Sequence, residues 1–516
     1  MLKKYIYICL LAAVALFNYS CSKKDLGNYE YHDINEVKFP SELNGKIIVQ
    51  NLTQLTISPK VLYTLDPVAD SSRYKYEWQI VNGSLITIGK TKDLDLFVSM
   101  PANTYQCYYR ITDNVTGIKF TKNFIVEVRN EFNEGWLLMC DVNGKARVDM
   151  ISKNATNQFL VVKDLLTKTN SGLKLTGKPK LVYGLTVGKL SGYGINSGTY
   201  AIYIGTDQYT DRVDQDIFKW DPKFNVTKEI VDPSLTPEDF VVEAIQQFRV
   251  TPEAYMITSK GNVYYTCPPT GIKYSLPLNY DNAKYYKVAP FIAASEQTPV
   301  NTTSAFFYDV VNRRFLQHGK NLFAPALEVV VDPSNTPSNP LKFSYEHTGK
   351  DLVYMAYSAK GNEVYAVFKD LEGSKRYLAR FNAQSQVQTD FKEILAENID
   401  KAESFAMSPL FGYIYYNVGG KLYKYDYNVI SPTQAWTVVK DYGTSKITAL
   451  KFQYYQKASK YPFADRLMVC SYDPALPEGE NGKIEQFNLL NGGGLGSAEY
   501  TYSGCGKVKS LHYRER

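Results

Sequence analysis

The chain has 516 residues, with 58 Lys and Arg against 52 Asp and Glu and only four His. A formal net charge of +6, with no Lys/Arg cluster on a recognisable binding motif, excludes a nucleic-acid footprint. The length allows about two to four domains. Aromatic residues make up 14% of the chain, led by 43 Tyr, a composition that suits half-buried strands.

The N-terminus has the parts of a secretory signal. Lys3 and Lys4 precede a mostly apolar run from Tyr5 to Phe17, which is shorter than the roughly 20 residues of a membrane helix. Small Ser20 stands before Cys21. The run Phe17-Asn18-Tyr19-Ser20-Cys21 resembles the lipobox of bacterial lipoproteins, departing from it at Asn18, where an aliphatic residue is usual. The resemblance implies cleavage after residue 20 and lipid attachment at Cys21. Several acyl chains anchor firmly because each buried CH₂ contributes about 0.8 kcal/mol. Residues 1–20 therefore read as a signal peptide and 21–32 as a lipidated tether. No later stretch approaches the length of a membrane helix, so the lipid is the one membrane attachment expected.

Residues 33–130 predict one β-sandwich. Alternating runs occur at Lys46–Val49, Leu52–Ile57, Tyr74–Ile80, Asp95–Val98, Tyr105–Thr112 and Phe120–Arg129, separated by turns such as Asn82-Gly83. Short strands at this spacing argue for an immunoglobulin-like sandwich. Tyr74, Tyr76 and Trp78 alternate along one strand and share a face, and Trp78 reads as core. The lipobox, the run Asp25-Leu26-Gly27-Asn28-Tyr29-Glu30-Tyr31 and Tyr76-Glu77-Trp78 together resemble the PKD-like lipoproteins of Bacteroidota. That resemblance covers about the first quarter of the chain. It implies an outer-membrane lipoprotein, displayed on the cell surface, beside a starch-utilisation-type importer in which a barrel transporter carries a lipoprotein lid. Such systems import glycans or peptides.

Residues 131–516 repeat a coarse unit of β-rich run, Gly/Asn/Asp turn and second β-rich run. Units start near 136, 201, 254, 304, 352, 411 and 466, a period of roughly 50–65 residues that points to propeller blades. Lys260-Gly261-Asn262-Val263-Tyr264 and Lys360-Gly361-Asn362-Glu363-Val364-Tyr365 are the clearest internal echo. Seven blades are expected, with Glu499–Tyr502 or Lys507–Tyr513 completing the blade begun near Trp136 and so removing an exposed edge. Thr236-Pro237-Glu238-Asp239 reads as the cap of a short helix over Phe240–Phe248. The fold class is all-β: an immunoglobulin-like sandwich followed by a seven-bladed propeller.

No motif with a catalytic mechanism is present. There is no HExxH, no GxSxG and no P-loop. Cys107, Cys140, Cys267, Cys470 and Cys505 are scattered without a CxxC; most read as small buried apolar residues, not a zinc site, and a disulfide in an oxidising envelope stays open without an assigned pairing. Asp207, Asp211, Asp214 and Asp216 offer oxygens suited to Ca²⁺ but lack EF-hand spacing, and read as a solvated loop. Two aromatic loop regions are the candidate ligand contacts, Tyr209 with Trp220, and Tyr280, Tyr285 and Tyr286 beside Asp281, Asn282 and Lys284. Aromatics beside hydrogen-bonding groups stack sugars or grip peptides, while blade packing also uses them.

The function expected is a non-catalytic, lipid-anchored surface protein, without cofactor or metal, that binds a glycan or peptide or docks on a barrel importer and its lid. Two alternatives stand beside it: a surface hydrolase with a paired-carboxylate site, and a structural envelope protein without a small ligand.

Overall fold

A computed structural model describes residues 33–70, 72–129, 131–153, 158–187, 199–237, 240–249, 253–266, 274–281, 284–295, 304–319, 326–337, 340–456 and 459–515. Residues 1–32, where a signal and a tether with Cys21 are expected, and Cys267 lie outside the described residues. The chain divides into two units, the first built mainly from residues up to Glu127 and the second mainly from Val128 onwards.

The first unit is a sandwich. One sheet has the order Lys46–Gln50, Lys119–Arg129, Asn103–Asp113, Tyr74–Asn82, Ser84–Gly89. Gln54–Ile57 pairs with Leu94–Phe97, and a short ribbon joins Val37–Lys38 to Leu62–Tyr63. Alternation along Tyr74–Asn82 puts Tyr74, Tyr76 and Trp78 into the core. Trp78 is fully buried, stacks on Tyr109 with ring centroids 3.9 Å apart and donates its indole N–H to the Thr91 carbonyl at 3.0 Å. At the domain's edge, the Arg73 guanidinium grips Asp113 through two bonds of 3.1 and 2.7 Å. That pairing holds the Asp113 carboxyl at about 2, as an adjacent cation favours the charged form.

The second unit is a ring of seven antiparallel sheets. Blade 1 has the order Phe159–Val162, Lys145–Lys153, Glu134–Val142, Lys507–Arg514. Blade 2 runs Pro179–Val187, Thr199–Thr206, Thr210–Val213, and blade 3 runs Val242–Gln247, Ala254–Thr258, Val263–Thr266. Blades 4 to 7 open with Ala293–Ala294, Asp351–Ser358, Ser404–Met407 and Lys446–Phe452, each followed by three further strands in chain order.

Apolar clusters fill each of the seven junctions between neighbouring blades. Phe306, Tyr308 and Phe315 of blade 4 meet Val364, Ala366 and Phe368 of blade 5. Tyr365 and Val367, the intervening residues of the same blade 5 strand, face Ile414, Tyr416 and Tyr423 of blade 6. The other junctions follow the same rule. The ring closes where Trp136, Leu138 and Cys140 of blade 1 meet Met468, Cys470 and Ile484 of blade 7. A strand with one face in each junction is buried on both sides, which explains why the second strands read as continuous apolar runs.

Closure is made by the C-terminal strand. Lys507–Arg514 pairs antiparallel with Glu134–Val142, and Tyr513 donates its hydroxyl to Glu134 at 2.8 Å. Asp149, fully buried, accepts two bonds from Arg147 at 2.7 and 2.6 Å and also takes the backbone N–H of Gly506 at 2.9 Å. A side chain at Gly506 would meet the Cβ of Cys140 at 2.7 Å, so glycine is required for the strand to enter. Of the two closing segments expected, Lys507–Tyr513 fills the role, while Glu499–Tyr502 lies in the outer strand Leu495–Cys505 of blade 7.

One expectation is overturned. The segment Phe240–Phe248 is not a helix: Val242–Gln247 is the inner strand of blade 3. Its β-branched Val242 and Ile245 are buried between blades 2 and 3, and pairing with Ala254–Thr258 outweighs the local capping signal.

Candidate functional site

Five inner strands converge on a cavity of about 260 Å³ at the axis of the ring. Ala244–Gln246 of blade 3, Tyr354–Tyr357 of blade 5, Phe405–Met407 of blade 6 and Leu450–Phe452 of blade 7 each contribute the C-terminal half of their strand. Phe291 and Ile292, leading into blade 4, complete that side. Phe291, Tyr354 and Phe405 form an aromatic wall. Phe291 meets Tyr354 edge-on at 5.7 Å, and Tyr354 stacks on Phe405 at 5.5 Å and 21°. Both arrangements suit ring quadrupoles.

The polar groups of this wall are mostly engaged. The Tyr454 hydroxyl donates to the Tyr357 carbonyl at 2.7 Å, and the Gln246 amide donates to the Gln247 carbonyl at 2.7 Å. Burial pushes the Tyr354 hydroxyl well above the ordinary phenol range, while the Met407 N–H that it accepts opposes that shift.

Lys451 is the exception. It lines the cavity, and its Nζ donates to the Leu511 carbonyl at 2.7 Å. Burial pushes its ammonium down from 10.5 to about 8, with the Cys470 thiol opposing. Desolvation disfavours the charged form of a base, so the direction follows. His512, on the neighbouring strand, is pushed well below its usual range by burial and by the Lys451 charge. Its ring lies 4.4 Å from Tyr183, and its Nδ1 has no hydrogen-bond partner. Among the described residues, no carboxylate lines the cavity.

The aromatic residues singled out from the sequence lie elsewhere and fall into separate places. Tyr209 and Trp220 pack on the junction between blades 1 and 2. The Tyr209 hydroxyl ties down a neighbouring loop by donating to the Lys174 carbonyl and accepting from the Thr176 N–H at 3.1 Å. Tyr286 packs on the junction between blades 3 and 4, with the Arg314 guanidinium 5.4 Å from its ring centre. Tyr280 and Tyr285 face each other across a two-residue ribbon, 5.0 Å apart, and both are exposed. Asn282 lies outside the described residues.

Three of the four aspartates accept hydrogen bonds within the fold. Asp207 accepts the Lys178 N–H, Asp214 accepts those of Asp216 and Ile217, and buried Asp211 accepts from the Asn225 amide at 3.1 Å. Among the described residues no group of three or more His, Cys, Asp or Glu is placed to hold a metal ion. The described cysteines, Cys107, Cys140, Cys470 and Cys505, are buried and free.

Nothing in the local sequence marks the axial residues as a set, because they come from five strands far apart in the chain. One signal was available: a lysine inside the apolar strand Lys446–Phe452, between Leu450 and Phe452.

Residues 23–179 match the model of the PKD-like family. The match spans the sandwich and continues through the first three strands of blade 1. No curated protein matches the chain. Among solved structures, a quinonprotein alcohol dehydrogenase-like protein from Bacteroides thetaiotaomicron aligns at 12% identity and a TM-score of 0.47, covering 94% of this chain and all of that one. A DUF4784 family protein from Bacteroides caccae aligns at 6% identity and a TM-score of 0.32, covering 91% and 97%. AztD from Citrobacter koseri aligns at 10% identity and a TM-score of 0.33, covering 85% and 98%. These likenesses are too distant to bear on chemistry, and the architecture rests on strand pairing and the seven packed junctions.

Proposed function

We propose that the protein is a non-catalytic binding protein of the bacterial surface, anchored by lipid at Cys21, whose ligand site is the axial cavity of the ring. The observation that carries this reading is the aromatic wall of Phe291, Tyr354 and Phe405 along a half-open cavity at the axis. Apolar, aromatic-lined concavities with few polar groups are the usual form of a ligand site. The cavity volume falls below the roughly 300–1,000 Å³ of sites that hold a whole drug-sized ligand, so it suits one end of a longer nutrient chain. The PKD-like match supports the surface-lipoprotein setting, and with it an accessory role beside a barrel importer and its lid, the cargo being a glycan or a peptide.

The test has two arms. Equilibrium binding of short peptides and oligosaccharides is measured on the wild type and on Tyr354→Ala. Loss of at least ten-fold in affinity on substitution places the ligand in the cavity, whereas equal binding by both proteins moves the site elsewhere. Affinity capture of the lipidated protein from native membranes in mild detergent recovers a barrel transporter and its lid if the importer role is right, and neither if it is wrong.

A further inference from the structure

The cavity holds a cation without a counter-charge. Lys451 has three N–H donors, and one of them goes to a neutral carbonyl, that of Leu511. Among the described residues no carboxylate pairs with it, whereas Glu134 is held by Lys153 and Lys460 and Asp149 by Arg147. Lys451 is half-buried at the cavity wall, and an ammonium partly withdrawn from water gains from an opposite charge placed beside it. The cavity lining combines apolar Met355 and Met407 with the aromatic wall and with Gln246 and Tyr454.

We infer that the missing partner arrives with the ligand: the axial cavity captures the C-terminal end of a peptide, Lys451 binding the terminal carboxylate and the aromatic wall receiving an apolar last side chain. This inference rests on the axial-site reading and narrows it. A charge-assisted bond to a carboxylate is roughly twice as strong as a neutral one, and capture of a terminal carboxylate is a recurring mode of peptide recognition. An acidic sugar brings the same carboxylate but also a ring of hydroxyls. The cavity does not match that need, since the Tyr454 hydroxyl and the Gln246 amide are already committed within the protein.

The experiment compares N-acetyl-Gly-Phe as free acid and as amide by calorimetric titration at pH 7 on the full chain. The free acid binds at least ten-fold tighter than the amide, and Lys451→Met reduces the acid to the affinity of the amide. Equal binding of acid and amide by the wild type, with loss on Tyr354→Ala, overturns the carboxylate assignment and keeps the axial site. Binding of galacturonate or glucuronate that depends on Lys451, with neither dipeptide bound, overturns the peptide assignment. If no probe binds in a manner sensitive to Tyr354, the axial-site reading falls with it. Circular dichroism of Lys451→Met checks folding; if that variant does not fold, the acid and amide comparison on the wild type decides alone.

Discussion

Lys451 carries its charge at a cost that depends on pH. Its ordinary value of 10.5 falls to about 8 in the fold. Below about 8 the folded protein holds a proton in a poorly solvated place. Between about 8 and 10.5 the unfolded chain binds that proton and the folded protein does not, so stability rises with pH across this window. The facing groups do not titrate there: burial and Lys451 itself keep the His512 imidazole neutral, and burial keeps the Cys470 thiol protonated. Denaturant titrations at pH 7 and pH 9.5 are therefore expected to show the wild type gaining stability relative to Lys451→Met as pH rises, and a constant difference refutes this account. The sandwich offers a simpler residue. Trp78 is fully buried against Tyr109, so Trp78→Ala is expected to destabilise that unit by roughly 3–5 kcal/mol, measured as a lowered denaturation midpoint.

Among elements, the closing strand is the most exposed to single changes. Asp149 gathers Arg147 and the Gly506 N–H, and removing one partner of a buried ion pair costs roughly 3–5 kcal/mol. Asp149→Ala is expected to speed amide hydrogen exchange across Lys507–Arg514 before it affects blades 4 and 5; uniform acceleration around the ring contradicts a local pin. The elements also show what a sequence conveys. Six of the seven repeat starts fall within three residues of the beginning of a blade's second strand, because that strand is buried in two junctions. Position 352 falls on the inner strand of blade 5, whose second strand is Glu363–Lys369. Inner strands are shorter or mixed in polarity, as Val242–Gln247 shows, and so gave a helical reading. The axial site was illegible for a related reason. Phe291, Tyr354, Phe405 and Lys451 belong to four blades and have no spacing to betray them, and only a lysine amid apolar strand residues breaks the local pattern. Tyr280, Tyr285 and Tyr286 are neighbours in the sequence, yet only Tyr280 and Tyr285 face each other on the surface, while Tyr286 packs on a junction.

For the whole molecule, seven similar junctions share the load, and only blade 1 joins strands from both ends of the ring's sequence. A chain stopped before Lys507 loses the partner of Glu134–Val142 and leaves Trp136, Leu138 and Cys140 without their cover from Val508, Leu511 and Tyr513. Such a truncation is expected to elute as aggregate in size-exclusion chromatography, since an uncovered apolar strand edge templates pairing with other chains. A monodisperse truncated protein with a native circular-dichroism spectrum refutes this.

That seam has a temporal meaning. The two strands that meet in blade 1 are made more than three hundred residues apart, so the first blade must wait, unfinished, through the synthesis of every other. Contacts of such long sequence separation form slowly. Until Lys507–Arg514 is made, the edge of Glu134–Val142 has no partner strand to cover it, and an open edge of this kind invites pairing with other chains.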